Sequence, residues 1–174
     1  MQVLDEHTRS EDFANLLAPL LAGNDTGLLS EAGCPAIADP GAELVRIAHQ
    51  KNIRVVPLVG PSSILLALMA SGLNGQRFMF HGYLPVEPDK RLMKIVELEK
   101  ESITRDQTQI FIETPYRNQK LLEALVQTCR ASTNLCVASE ITLASEHIAT
   151  RTVKEWKHLL PDINKKPAIF LLHG

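Results

Sequence analysis

With 174 residues, 45% of them hydrophobic and 22% charged, the chain has the composition of an ordinary globular protein, which excludes disorder, collagen and a coiled-coil rod. Eighteen basic residues against twenty acidic ones leave a net charge of −2. A strongly basic nucleic-acid coat is therefore excluded, while a local basic patch stays open. The length permits one domain of good size or two small ones.

Cys34, Cys129 and Cys136 are odd in number and irregular in spacing, a poor disulfide framework, and no CxxC pair supports structural zinc. The N-terminus is charged and has no apolar signal core. Its longest apolar run, Ile64 to Ala70, is too short for a bilayer. A cytoplasmic protein without a membrane segment is the expectation.

Val3 and Leu4 suggest a short strand. Ser10 is placed to cap a helix running to Leu21, with Glu11 and Asp12 near its positive end. Thr26 to Ser30 reads as a short buried strand, followed by the loop Glu31 to Gly41. Leu44, Val45, Ile47 and Ala48 then recur at helical spacing within Gly41–Gln50. Ile53 to Leu58 is a β-branched strand, and Pro61-Ser62-Ser63 opens an apolar helix that closes at Ser71-Gly72. Strand, Gly/Pro loop and helix thus occur twice, which predicts parallel strands with crossover helices.

The rhythm changes near residues 72–86. Phe78 to Phe80 is strand-like, and Lys90–Glu101 is an amphipathic helix. Thr108–Glu113 is a strand and Pro115–Cys129 a helix. Leu135–Glu140, His147–Val153 and Ala168–Leu172 are three more strands, with a short helix around Val153–Leu160. The close succession of the strands near 135 and 147 predicts an antiparallel pair. The expected organisation is an N-terminal α/β domain over 1–77, with a mostly parallel sheet, and a C-terminal α/β domain over 78–174, with a mixed sheet.

Three loops leave the carboxyl ends of predicted strands, where ligands bind in open α/β sheets. In Ser30 to Gly41, Gly33 permits close backbone approach and Glu31 can accept hydrogen bonds from hydroxyl or amino groups. Asp39 and Pro40 there suit a helix N-cap and first turn. Gly60-Pro61-Ser62-Ser63 presents N–H groups and hydroxyls to an anion or polar group, or simply caps the helix. Glu113-Thr114-Pro115-Tyr116-Arg117 offers Thr114 as a cap, or Tyr116 and Arg117 to a base or phosphate. Neither a phosphate-cradling Lys motif nor GxGxxG is present. His81 is expected to be a satisfied structural histidine. Cys34 has no neighbouring base in sequence to make it a nucleophile, and the six histidines show no metal-ligand spacing. Lys90, Arg91 and Lys94 read as a solvated helix face.

Taken in order, SEAGCPAIADPG, VVPLVGPSS, SGLNGQRFMFHGYLP, IFIETPYR, LCVASEIT and KPAIF resemble the tetrapyrrole (corrin/porphyrin) methylase superfamily of S-adenosylmethionine-dependent methyltransferases. Within it the likeness is to the ribosomal RNA small subunit methyltransferase I branch. The resemblance spans nearly the whole chain and implies a two-domain fold that binds S-adenosylmethionine. It places Ser30, Glu31, Ala32, Gly33, Cys34, Ser62, Ser63, Glu113, Thr114, Ala138, Ser139, Pro167 and Ala168 at the cofactor. Glu31 and Cys34 stand where Asp and Thr are usual in the family, and Tyr116 stands in place of His. Ser139 and Leu143 replace an Arg and a Lys of the RNA branch, and Val86-Glu87-Pro88-Asp89 replaces a basic loop.

The family opens with a further strand and Gly/Pro loop ahead of the Ser30 loop. Only 29 residues precede Ser30 here, so an N-terminally truncated chain is expected. The resemblance implies methyl transfer to ribosomal RNA ribose or to a tetrapyrrole-like small molecule, by a cytoplasmic homodimer. The alternative is a fragment without catalysis of its own that dimerises through its open sheet edge. No catalytic residue is assigned; Glu140 is a candidate general base, with a structural hydrogen-bonding role as its alternative.

Overall fold

The computed structural model describes residues 1–5, 7–9, 12–31 and 33–174. Ser10 and Ala32, named above as a cap and a cofactor residue, lie outside the described residues. Contacts divide the chain into two compact units, Met1–Ser62 and Ser63–Gly174, fifteen residues earlier than the sequence pattern suggests. The helix that was expected to close the first domain packs instead on the sheet of the second unit.

Among its described residues the first unit holds two helices, α1 (Asp12–Leu21) and α2 (Ala42–Gln50). Phe13, Leu17 and Ala48 are its buried apolar side chains within those helices. Among the described residues of this unit there is no β-strand. The expected parallel N-terminal sheet is therefore corrected: the segments at 3–4, 26–30 and 53–58 form no strand. A strand exists only when its backbone N–H and C=O groups meet those of a neighbour. Leu29, Val56, Leu58 and Val59 consequently stand more than half exposed, although their residue types favour burial.

Asp39 is not the N-cap of α2. Gly41 takes that position with φ +137°, and its carbonyl accepts from Val45 N–H. An added Cβ there would meet Leu28 Cδ2 at 2.8 Å. Both backbone conformation and space thus require glycine at this position.

The second unit is one five-stranded sheet with helices on both faces. Its elements are α3 (Ser63–Ser71), β1 (Phe78–Tyr83), α4 (Pro88–Arg105), β2 (Thr108–Ile112), α5 (Asn118–Thr128), β3 (Asn134–Ser139), β4 (His147–Thr152), α6 (Val153–Trp156) and β5 (Ala168–His173). The spatial order is β1-β2-β5-β3-β4. β1 and β2 are parallel, as the long α4 crossover requires, while β5 runs antiparallel to both its neighbours and β4 antiparallel to β3.

Successive strand side chains point to opposite faces. Phe111, Leu135, Val137, Phe170 and Leu172 join Ile95, Leu98, Leu121, Leu122, Leu125 and Trp156 under α4, α5 and α6. Phe111 and Phe170 stack there with centroids 6.0 Å apart. Ile110, Cys136, Ala138, Ile169 and Leu171 face the other way and meet Ile64, Ala67 and Leu68 of α3. Because both faces are covered, these strands read as continuous apolar runs. Thr150 Oγ1 donates to Ser71 O at 2.7 Å and ties α3 to β4.

Candidate functional site

In the first unit, residues 34–40 fold back on themselves: Ile37 N–H donates to Cys34 O and Ala36 N–H to Pro40 O, each at 3.3 Å. Gly33, Ala36 and Ala38 have φ of +76°, +64° and +54°, conformations that alanine rarely adopts. The Cys34 thiol donates to Pro61 O at 3.3 Å, which joins this loop to the Gly60-Pro61 segment. Two candidate segments that are distant in sequence are therefore adjacent. The thiol is engaged as a donor to a backbone carbonyl, which is not the contact that activates a nucleophile. Glu31 and Gly33 are exposed, Ser30 and Cys34 half-buried, and Ser62 buried.

In the second unit, strand directions gather six candidate residues at one end of the sheet. The carboxyl ends of β1, β2 and β3 lie beside the amino ends of β5 and β4. Ile112 pairs with Ile169, Ser139 with both Ala168 and His147, and Tyr83 with Ile112. Glu113, Thr114, Ala138, Ser139, Pro167 and Ala168 thus share one rim. Ala138 and Ala168 are buried and small, Ser139 is 2% exposed, and Ser139 Oγ donates to His147 O at 3.5 Å.

Glu113 is the chemical centre of this rim. It follows the buried strand β2 directly, and its side chain is 1% exposed. One carboxylate oxygen, Oε1, accepts from Thr114 N–H and from Arg117 Nη2, each at 2.6 Å. The other, Oε2, is buried with no partner, as are Arg117 Nε and Asn118 Oδ1. Unpaired buried polar atoms are uncommon in native proteins and call for a reason. The hydrogen bond to Glu113 raises the Arg117 pKa, and Tyr83 adds a smaller electrostatic contribution in the same direction.

The helix expected from Pro115 begins only at Asn118. Thr114 does not cap it by its side chain; instead Thr114 O accepts from Arg117 N–H at 2.9 Å and Asn118 N–H at 3.2 Å, closing a turn. That turn is forced by Glu113, which captures the Thr114 N–H and the Arg117 side chain together.

Asn118 escapes a reading based on sequence pattern alone. It is fully buried, and Nδ2 donates to Lys166 O at 2.5 Å. Lys165 N–H donates to Pro115 O at 3.0 Å, and Glu140 N–H donates to Pro167 O at 3.0 Å. The segment before β5 is therefore fastened on one side to the β2–α5 turn and on the other to the end of β3. Glu140 sits at φ +52° with its carboxylate 3.7 Å from Lys166 Nζ. The signal that was available for Asn118 was an amide side chain at a helix start, which by itself suggests only capping.

His81 Nε2 lies 2.6 Å from Gln109 Oε1, the satisfied structural pairing expected of it. Among the described residues no helix is long and apolar enough to cross a membrane.

Residues 3–157 match the family profile of tetrapyrrole (corrin/porphyrin) methylases. A ribosomal RNA small subunit methyltransferase I from Mesorhizobium japonicum is 38% identical over 149 residues, which is 86% of this chain and 49% of that protein. One of the same description from Vibrio cholerae is 34% identical over 176 residues, 98% of this chain and 59% of that protein. The chain thus spans between about half and three fifths of the length of these curated relatives. Among solved structures, the methyltransferase CobJ aligns at a TM-score of 0.61 with 16% identity, over 96% of this chain and 72% of that one. Cobalt precorrin-4 methyltransferase aligns at 0.57, again with 16% identity, over 97% and 72%. At such identities the likeness is one of fold.

Proposed function

The chain belongs to the tetrapyrrole (corrin/porphyrin) methylases, and from that membership we propose that it acts in S-adenosylmethionine-dependent methyl transfer, with ribosomal RNA as the acceptor. The observation that carries the cofactor reading is Glu113, a carboxylate buried at the open end of the sheet with one oxygen left unpaired. A buried acceptor of this kind is costly unless a donor meets it.

The residues present fit the group. S-Adenosylmethionine supplies a methyl group on a cationic sulfur, together with hydroxyl and amino donors. Glu113 holds acceptor capacity next to the half-buried Thr114. Ala138 and Ala168 keep the rim free of bulk, and Pro167 and Ala168 are held in place from both sides through Asn118, Pro115 and Glu140. Fixing a site from several elements is how a protein limits the entropy lost on binding. Glu140 is paired with Lys166, which favours its structural role over that of a general base.

The RNA acceptor rests on the relatives described as ribosomal RNA methyltransferases, at 34–38% identity over most of this chain. Titration calorimetry of the full chain with S-adenosylhomocysteine tests the cofactor reading. Saturable binding is expected, weakened about tenfold by Glu113→Gln, in line with the loss of one charged hydrogen bond. An absence of heat and of any other binding signal for the unmodified chain would overturn it.

A further inference from the structure

The chain has two tyrosines, and both are displayed on the surface. Tyr116 is 76% exposed and Tyr83 60%, whereas Trp156, Phe111 and Phe170 are essentially inaccessible. Aromatic rings are normally drawn into cores, where their large area is worth most. Both tyrosines remain outside the core.

Their placement is shared. Tyr83 ends β1 opposite Ile112, and Tyr116 stands four residues beyond Ile112, in the turn that Glu113 closes. Arg117 follows Tyr116 directly in the chain, and its side chain is 36% exposed. Lys165, exposed, is brought alongside by its N–H bond to Pro115 O.

Three of the nearby carboxylates are engaged, while Asp89 and Asp162 are exposed. Glu113 is turned inward onto Arg117 and Thr114, Glu140 lies against Lys166, and Glu87 pairs with Lys90. The surface offers two aromatic side chains, the exposed Lys165, and the part of Arg117 that its pairing with Glu113 leaves accessible. Unpaired bases stack on aromatic side chains without regard to sequence, and cations meet the backbone phosphates. A duplex hides its base faces and cannot use such a surface.

We propose that Tyr83 and Tyr116, with Arg117 and Lys165, form a stacking platform for an unpaired RNA segment at the rim of the candidate site. This rests on the RNA acceptor proposed above and adds the form in which RNA is held.

The test is fluorescence anisotropy of a short, unstructured, fluorescein-labelled RNA with the full chain and its variants. Tyr83→Ala and Tyr116→Ala are each expected to weaken binding about tenfold, while Tyr116→Phe, which keeps the ring, stays within about twofold. Circular dichroism and S-adenosylhomocysteine titration of the same variants are expected to be unchanged, because neither tyrosine is among the candidate cofactor residues. The proposal is overturned by unmodified chain that does not bind the RNA, by alanine variants that bind it as the unmodified chain does, or by equal affinity for a duplex of the same sequence. Loss of the cofactor signal in the unmodified chain, with RNA binding still following the tyrosines, would instead remove the cofactor reading alone.

Discussion

Arg117→Ala isolates the pair at the centre of the candidate site. In the native chain the Glu113 side chain is 1% exposed and the Arg117 side chain 36%. Removing the cation leaves the carboxylate buried, with only the Thr114 N–H bond at 2.6 Å to compensate it. Breaking a fully buried pair costs about 3–5 kcal/mol. Solvent reaches Arg117 and screens part of the interaction, so a loss of about 2–3 kcal/mol is expected. Glu113→Gln keeps an acceptor for Thr114 N–H and leaves Arg117 partly hydrated, so it should cost about 1 kcal/mol.

The double variant then separates attraction from burial. Once Glu113 is neutral, removing Arg117 should cost at least about 1 kcal/mol less than it does in the native background. Urea unfolding followed by Trp156 fluorescence reads this directly. Trp156 is the only tryptophan, is 1% exposed and donates from Nε1 to Leu135 O in the second unit. If Arg117→Ala moved the unfolding free energy by less than about 0.5 kcal/mol, or the two substitutions proved additive, Glu113 would not be a buried charge held by Arg117.

Two further outcomes follow from the second unit and the cysteines. Thr152 and Glu155 form a reciprocal capping box at α6, and Thr152→Ala is expected to cost about 1 kcal/mol at neutral pH. Hydrogen bonds from the Thr152 hydroxyl, then from its backbone N–H, hold Glu155 below the usual carboxylate range. The folded state therefore binds that proton less readily than the unfolded chain. The contribution is complete above the ordinary glutamate range and is lost as pH falls through the lowered value, so the gap between variant and native stability should narrow on acidification; a gap independent of pH would refute this. Burial, with a smaller contribution from Glu99, pushes the Cys129 thiol up to about 12, and burial also raises Cys136. An aromatic disulfide reagent at about pH 8 should label no thiol other than Cys34 in the native chain, and all three after denaturation. Native labelling of Cys129 or Cys136 would contradict their burial.

Most of the second unit was legible in the residue pattern. The runs TQIFI, NLCVAS and AIFLLH are apolar because both of their faces are covered, and α4 carries its core residues at helical spacing. The first unit was misread for a related reason. Thr26 to Ser30 and Ile53 to Leu58 have strand composition, but composition records a preference for a pleated, half-buried surface and cannot provide the partner. The start of α5 was misplaced because Thr114-Pro115 is a plausible cap locally, while Glu113 and Arg117 impose a turn first. Asn118 was invisible because its partner, Lys166 O, lies 48 residues away.

Taken alone, the sequence determined which segments become helices, which of the later runs become strands, and the family to which the chain belongs. Those properties are written in spacing over a few residues and in short motifs kept in order. Tertiary structure decided that the last strand inserts between β2 and β3, that three strand-like runs of the first unit remain unpaired, and that Glu113, Ser139 and Pro167 share one rim. Each of these depends on a backbone group finding a partner far away along the chain. Local propensity does not encode that choice; it follows from the best simultaneous burial of apolar faces and pairing of polar atoms.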